Sequence, residues 1–327
     1  MHTATALADK LIGIARQSGD PSLLLEAHHV NWTTQYALGK WRSVREHTDQ
    51  GLFLYRPEHF SHAFVYGGHD SGVCAAAKQG VSLWMLGYPD QALARARESI
   101  IRARQLSHPP SLHHAFYHAT VLHYFRRDAT AAREAAEARL QLAHEGFPAW
   151  VPHISLQLAM IQALESAQQV PAPVIAAPPA LPNEILNDVE GKGLVLCLFG
   201  CVCELAGEVD AGLSMLQPAI SAAEATGARL WESEFSRLTG NLLLLAKPRD
   251  SEQSEAHYHR AIEIAREQQA RSLDLRASTS LARLWADRGD RHEAYDLLAP
   301  TYAWFTEGFN TRDLIDAKAL LDSCASS

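Results

Sequence analysis

The chain has 327 residues, 47% of them hydrophobic, which is enough for a continuous core in one elongated array or in two domains. Its 29 basic and 37 acidic residues leave a net charge of −8 with neutral histidines, so the clustered cations that track phosphates are not indicated and no nucleic-acid partner is expected. Five cysteines, Cys74, Cys197, Cys201, Cys203 and Cys324, form an odd set without the dense spacing of a secreted disulfide scaffold, which predicts a reducing, cytoplasmic setting.

The start, Met1-His2-Thr3-Ala4, lacks the basic and long apolar regions of a signal peptide. The most apolar stretch, Gly193 to Cys203, is too short to span a bilayer, so a soluble chain without a membrane partner is expected. From there a helix, a Gly or Asp turn and a second helix recur along the chain at tetratricopeptide spacing. The turns read Ala37-Leu38-Gly39-Lys40-Trp41, Met85-Leu86-Gly87-Tyr88-Pro89-Asp90-Gln91-Ala92, Arg126-Arg127-Asp128-Ala129, Leu205-Ala206-Gly207-Glu208 and Asp287-Arg288-Gly289-Asp290. Small residues just beyond them, Ala92, Ala132, Gly212 and Ala294, allow paired helices to approach closely.

Apolar residues follow helical spacing, as in Ala92, Ala96, Ile100 and Ala103 or Leu273, Ala277, Leu281 and Leu284, and no segment alternates over strand length. The expected fold is all-α, a tetratricopeptide-type α-solenoid of stacked hairpins in a right-handed superhelix, its concave side lined by the first helices. Five prolines between Val170 and Asn183 predict an extended linker at 170–183, dividing an N-terminal array, 1–169, from a C-terminal array, 184–327. At the tail, Asn310 or Thr311 is placed to cap a last helix whose stripe is Leu314, Ala317, Leu320 and Leu321.

Seventeen histidines are many for this length, and several fall together. The repeat frame puts His29, Thr33 and Tyr36, then Cys74, Ala77, Val81 and Trp84, then His114, Tyr117, Val121 and Tyr124 along the concave side, a polar and aromatic groove. The segment from Tyr55 to Gly72 is longer than a repeat turn and adds His62, Tyr66 and His69 as ligand contacts, while Asp70 is placed to cap the next helix. His114 and His118 share one helical face at i, i+4 spacing, so a metal set of His28, His69, Asp70, His114 and His118 is the alternative, with a divalent ion such as zinc. Against it stand packing histidines bonded to backbone or carboxylates, and the His-Glu-x-x-His run of zinc proteases is absent. Cys197, Cys201 and Cys203 read as small buried hydrophobes. Trp84, Trp285, Trp304, Tyr88 and Tyr258 also suit core packing.

Several blocks carry a likeness. They are Phe53-Leu54-Tyr55-Arg56-Pro57 with His59, Ser61-His62-Ala63-Phe64-Val65-Tyr66-Gly67, His69-Asp70-Ser71-Gly72-Val73-Cys74, Trp84-Met85-Leu86-Gly87-Tyr88-Pro89-Asp90-Gln91-Ala92, and Trp304 to Leu314 with Ala317 to Leu321. Through them the chain resembles, nearly end to end, the C-terminal tetratricopeptide region of bacterial signalling proteins that join a class III nucleotidyl cyclase, kinase or DNA-binding domain to a large ATPase module. The resemblance implies a helical-repeat fold and a sensing or interaction role, with the chemistry in other domains. Ser71 stands where that family usually has proline, and the proline-rich segment stands where it continues with a helix. No phosphate-binding Gly-x-x-x-x-Gly-Lys loop is present, so ATP hydrolysis is not expected.

The reading is an interaction or sensor module that takes a protein segment or small effector in its concave groove, beside a separately encoded ATPase or cyclase. The alternative is a metal-dependent hydrolase built on the histidines. A DNA-regulatory subunit is disfavoured by the charge and by the lack of a helix-turn-helix signature.

Overall fold

The computed structural model describes residues 2–66, 68–169, 191–246 and 251–325. Aspartates start several helices by accepting free backbone amides: Asp20 from Ser22 (2.8 Å) ahead of Pro21, Asp70 from Val73 (2.8 Å) and Asp128 from Ala131 (3.0 Å). The result among the described residues is fifteen α-helices and no strand. They are α1 (His2–Ser18), α2 (Pro21–Ala37), α3 (Trp41–Leu54), α4 (Ser71–Met85), α5 (Pro89–Leu106), α6 (Pro109–Phe125), α7 (Ala129–Gly146) and α8 (Val151–Gln169). After residue 190 come α9 (Lys192–Ala206), α10 (Val209–Thr226), α11 (Glu232–Ala246), α12 (Glu252–Glu267), α13 (Arg271–Arg288), α14 (Arg291–Ala303) and α15 (Arg312–Ala325).

Each helix packs on the next, and the first helices of successive hairpins also touch, α2 on α4, α4 on α6, α9 on α11 and α11 on α13, which is the stacking of an all-α repeat solenoid. The linker expected at 170–183 lies outside the described residues; α8 and α9, which flank it, are in contact. Thr311 does not cap α15 with its side chain. Its hydroxyl donates backward to the Gly308 carbonyl (2.7 Å), while Leu314, Ala317 and Leu321 are buried as the apolar spacing requires.

Besides the stacking of neighbours, the turns of the first hairpins meet helices far along the chain. At the α2–α3 turn, the Leu230 amide donates to the Ala37 carbonyl (3.3 Å), and Gly39, at φ +68°, lies so close to Gln268 that an added Cβ would sit 2.5 Å from its side chain. At the α4–α5 turn, Gly87 is pressed against Trp304 in the same way, and Ser272 donates to the Trp84 carbonyl (2.5 Å). Glu307 accepts the Asp90 and Gln91 amides (2.9 and 3.1 Å), capping α5 from the far end of the chain. At the α6–α7 turn, Arg127 pairs with Asp316 (2.7 Å) and Asp313 (3.3 Å).

Between the arrays α4 meets α13, so the concave side that sequence spacing assigns to a groove is filled by the protein's own side chains along this stretch. Trp84, 2% exposed, stacks on Phe125 (5.0 Å between centroids), and Phe125 stacks on Trp231 (5.1 Å). Arg276 lies over the Trp84 ring and donates to the Phe125 carbonyl, to Asp313 (2.7 Å) and to Glu234 (3.2 Å). Glu234, 1% exposed, is also held by both nitrogens of the Arg237 fork (2.9 and 3.0 Å) and by the Tyr124 hydroxyl (2.9 Å). Burial alone would raise its pKa, but Arg237 and Arg276 hold it at about 2.

Breaking this network from one side leaves charge buried without a partner. Arg276→Ala is expected to cost about 3–5 kcal/mol in urea unfolding. Because Glu234 titrates below its usual 4.5, its contribution is complete above that value and fades as pH falls toward about 2. The wild type should therefore lose more stability than Glu234→Gln between about pH 5 and about pH 3, and equal losses would remove the assignment.

Candidate functional site

The N-terminal end of α4 is fixed by one carboxylate. Asp70 is fully buried; it caps Val73 and accepts the Tyr55 hydroxyl (2.9 Å), while its own amide donates to Ser111 Oγ (2.8 Å). The cap expected from sequence is therefore present, and it ties the start of α4 to the end of α3 and the first turn of α6. Every residue of α4 is buried, so the helix runs as a central post between its neighbours. This placement brings His69, just before the cap, and Cys74, in the first turns of α4, against His29 of α2.

The ligand atoms of His29, His69 and Cys74 all lie within 4.8 Å of one another. The Trp32 indole N–H donates to Cys74 Sγ (3.4 Å), and the His29 ring stacks on Trp32 (4.9 Å). Glu26 divides its carboxylate between two imidazoles, with Oε2 at 3.0 Å from His29 Nδ1 and Oε1 at 2.8 Å from His62 Nδ1. Burial opposes charge on Glu26, His29 and Cys74, but mutual attraction prevails. Glu26 stays below its ordinary value through His29 and His62, and His29 is raised to about 9 by Cys74 and Glu26. His29 and His69 together draw the Cys74 thiol well below the ordinary range. His114, stacked on His69 at 3.9 Å, is kept neutral by burial and by the neighbouring imidazoles.

Such a cluster can hold an imidazolium–thiolate pair or a borderline divalent cation. Cys74 has no exposed surface, so it is not presented to an incoming carbonyl group.

The alternative metal set does not assemble. His28 turns away to His47, their Nδ1 atoms 2.9 Å apart, and burial takes its pKa down to about 4. Both Asp70 oxygens are taken, by Val73 and Tyr55. His118 bonds through Nδ1 to the His114 carbonyl (3.0 Å). Among the described residues, the one group of three or more His, Cys, Asp or Glu ligands within reach of each other is His29, His69 and Cys74.

Of the groove residues expected from sequence, Tyr36, Trp84, His114 and Tyr117 are buried in the helical stack, because neighbouring helices cover the face that the repeat frame turned toward a partner. Tyr36 packs on Trp41 (5.5 Å) and His118 (5.7 Å), with Lys78 over its ring, and Tyr117 lies under Arg139. His29 and His62 are joined through Glu26, whereas Tyr66 is 58% exposed. Cys197, Cys201 and Cys203 have their thiol pKa values pushed up by burial, as apolar packing residues should. Glu26 was not singled out from sequence, although Glu26-x-x-His29 places carboxylate and imidazole on one helical face.

Above the cluster, the 3-10 segment Pro57–Phe64 and the residues around it leave large apolar side chains in solvent: Phe53 (75% exposed), Phe64 (72%), Val65 (71%) and Tyr66. Phe60 and Phe64 both pack edge-on against His108, and Tyr66 packs edge-on against His62. Tyr66 is thus linked, through His62 and Glu26, to the half-buried cluster.

No protein-family model matches the chain. It is similar to an uncharacterized protein of Rhizobium meliloti (strain 1021), 24% identical over 274 residues, which are 82% of this chain and 26% of that protein. The chain spans about a quarter of the length of the relative it matches.

The double use of Asp70 gives a quantitative expectation. Asp70→Ala should cost roughly 2–4 kcal/mol, from the lost cap and the lost bond to the Tyr55 hydroxyl. Tyr55→Phe should cost about 1 kcal/mol. A double-mutant cycle by denaturant unfolding should show that the two losses do not add, and strict additivity would mean that the bond contributes nothing.

Proposed function

We propose that this chain is a helical-repeat interaction and sensing module that captures an apolar protein segment on the exposed surface formed by Phe53, Phe64, Val65 and Tyr66. The observation that carries this reading is that exposed apolar side chains flank one irregular segment in the chain, Phe53 before it and Phe64, Val65 and Tyr66 at its end, since exposed hydrophobic side chains on such segments mark interaction sites. The seat first expected, a groove along α2, α4 and α6, has less support because Tyr36, Trp84, His114 and Tyr117 there are buried and Trp84 is covered by Arg276. A partner's aromatic or aliphatic side chains would pack beside Tyr66 and Phe64, and the bond from His62 to Glu26 would transmit the contact to the half-buried imidazoles. The likeness to signalling proteins agrees with this reading, with catalysis supplied by an ATPase or cyclase outside the described helices, in a cytoplasmic setting. A metal-dependent hydrolase built on His28, His69, Asp70, His114 and His118 has less support, because His28 and Asp70 are engaged elsewhere.

The test is selection of a displayed peptide library on the immobilised chain, followed by binding to the double variant Phe64→Ser/Tyr66→Ser. Selected peptides should be rich in aromatic and aliphatic residues and bind the variant at least about tenfold more weakly, with an unchanged thermal melt. Peptides that bind both proteins alike would place the docking surface elsewhere.

A further inference from the structure

The cluster beneath the exposed segment has a feature that a merely packed core does not need: three side chains of metal-binding type, from two helices and the intervening loop, converge on one point. We propose that His29, His69 and Cys74 form a binding site for a single divalent transition-metal ion of the zinc class.

Geometry carries the assignment. Ligand atoms around a tetrahedral zinc stand about 3.3–3.8 Å apart, as follows from bond lengths of about 2.0–2.3 Å. The three ligand atoms already lie within 4.8 Å of one another, so closing on an ion requires a shift of about an ångström, within the reach of side-chain rotation. One thiolate and two imidazoles suit zinc, cobalt or nickel and are a poor set for magnesium or calcium, which take oxygen ligands.

The surroundings fit as well. Glu26 bonds His29 Nδ1 at 3.0 Å, which leaves Nε2 as the ligand atom and reproduces the carboxylate–histidine–metal arrangement. Trp32 donates to the sulfur from the other side (3.4 Å), an arrangement that steadies a metal-bound thiolate. His69 Nε2 is buried and has no hydrogen-bond partner among the described residues, a costly state for a ring nitrogen unless it serves another purpose. With three protein ligands, the fourth position falls to water or to an atom of an effector. The site does not depend on the peptide-binding reading, since its test uses no peptide.

The experiment is a titration of the purified, chelator-treated full chain with cobalt(II), followed by absorption spectroscopy. A one-to-one complex should appear with a thiolate-to-cobalt charge-transfer band in the near ultraviolet, and added zinc should abolish it. The band should vanish in Cys74→Ser. Affinity should fall roughly 10–100-fold in Glu26→Gln, which keeps the side chain's size but removes the carboxylate shared by His29 and His62. His292→Gln, at an exposed position of α14, should match the wild type. No charge-transfer band in the wild type would overturn the assignment whether or not the variants fold. A band that persists in folded Cys74→Ser would also overturn it, since the sulfur would then belong to another cysteine.

Discussion

A guanidinium removed from water is tolerated only where its donors and its charge are met, and in this protein one such group holds the two halves of the chain together. Arg276, on α13, reaches the α6 carbonyl of Phe125, the α11 carboxylate of Glu234 and the α15 carboxylate of Asp313 while lying over Trp84 of α4. Burial works against its charge, but the two carboxylates outweigh burial and keep it protonated. Arg237 and Tyr124 complete the shell of Glu234, so the pair sits in a satisfied network. The Trp84–Phe125–Trp231 stack supplies the apolar floor beneath it.

That tie has consequences for where ligands can be received. A free solenoid offers the faces of its first helices to a partner, but here α4 is buried at every position and its C-terminal half is covered by α13. Polar chemistry is displaced to the opposite end of the same helices. There α2, α4 and the first turn of α6 bring imidazoles and a thiol together under an irregular segment. The two ends of α4 thus do different work: Trp84, near the C-terminus, joins the arrays, and Cys74, near the N-terminus, belongs to the cluster.

The electrostatics at that end are a balance of like groups. His114 lies stacked on His69, and burial, reinforced by the neighbouring imidazoles, holds His114 neutral. Charge is retained where a counter-ion exists, on His29 between Glu26 and Cys74. Glu26 is the pivot, since its second oxygen bonds His62 on the exposed segment and makes surface and cluster neighbours through one carboxylate.

Much of the scaffold was legible in the residues themselves. Helical spacing, the cap at Asp70, and turns at Gly39, Gly87 and Gly289 depend on contacts within a few residues, so sequence by itself determined the helices and their pairing into hairpins. The burial of Tyr258 and Leu281 followed from the same spacing. Part of the site was readable too, since Glu26 and His29 lie one turn apart on a single helix. What sequence could not decide was which surface covers which. Glu307 caps α5 from 217 residues away, and Arg276 meets Phe125 across 151. An apolar stripe states only that a face is buried, and a charged side chain states only that it needs a partner. Whether Trp84 lines an open groove or a closed interior, and whether His69 joins Asp70 or Cys74, was settled when the C-terminal array folded back onto the hairpin turns and when the Asp70 cap fixed the start of α4.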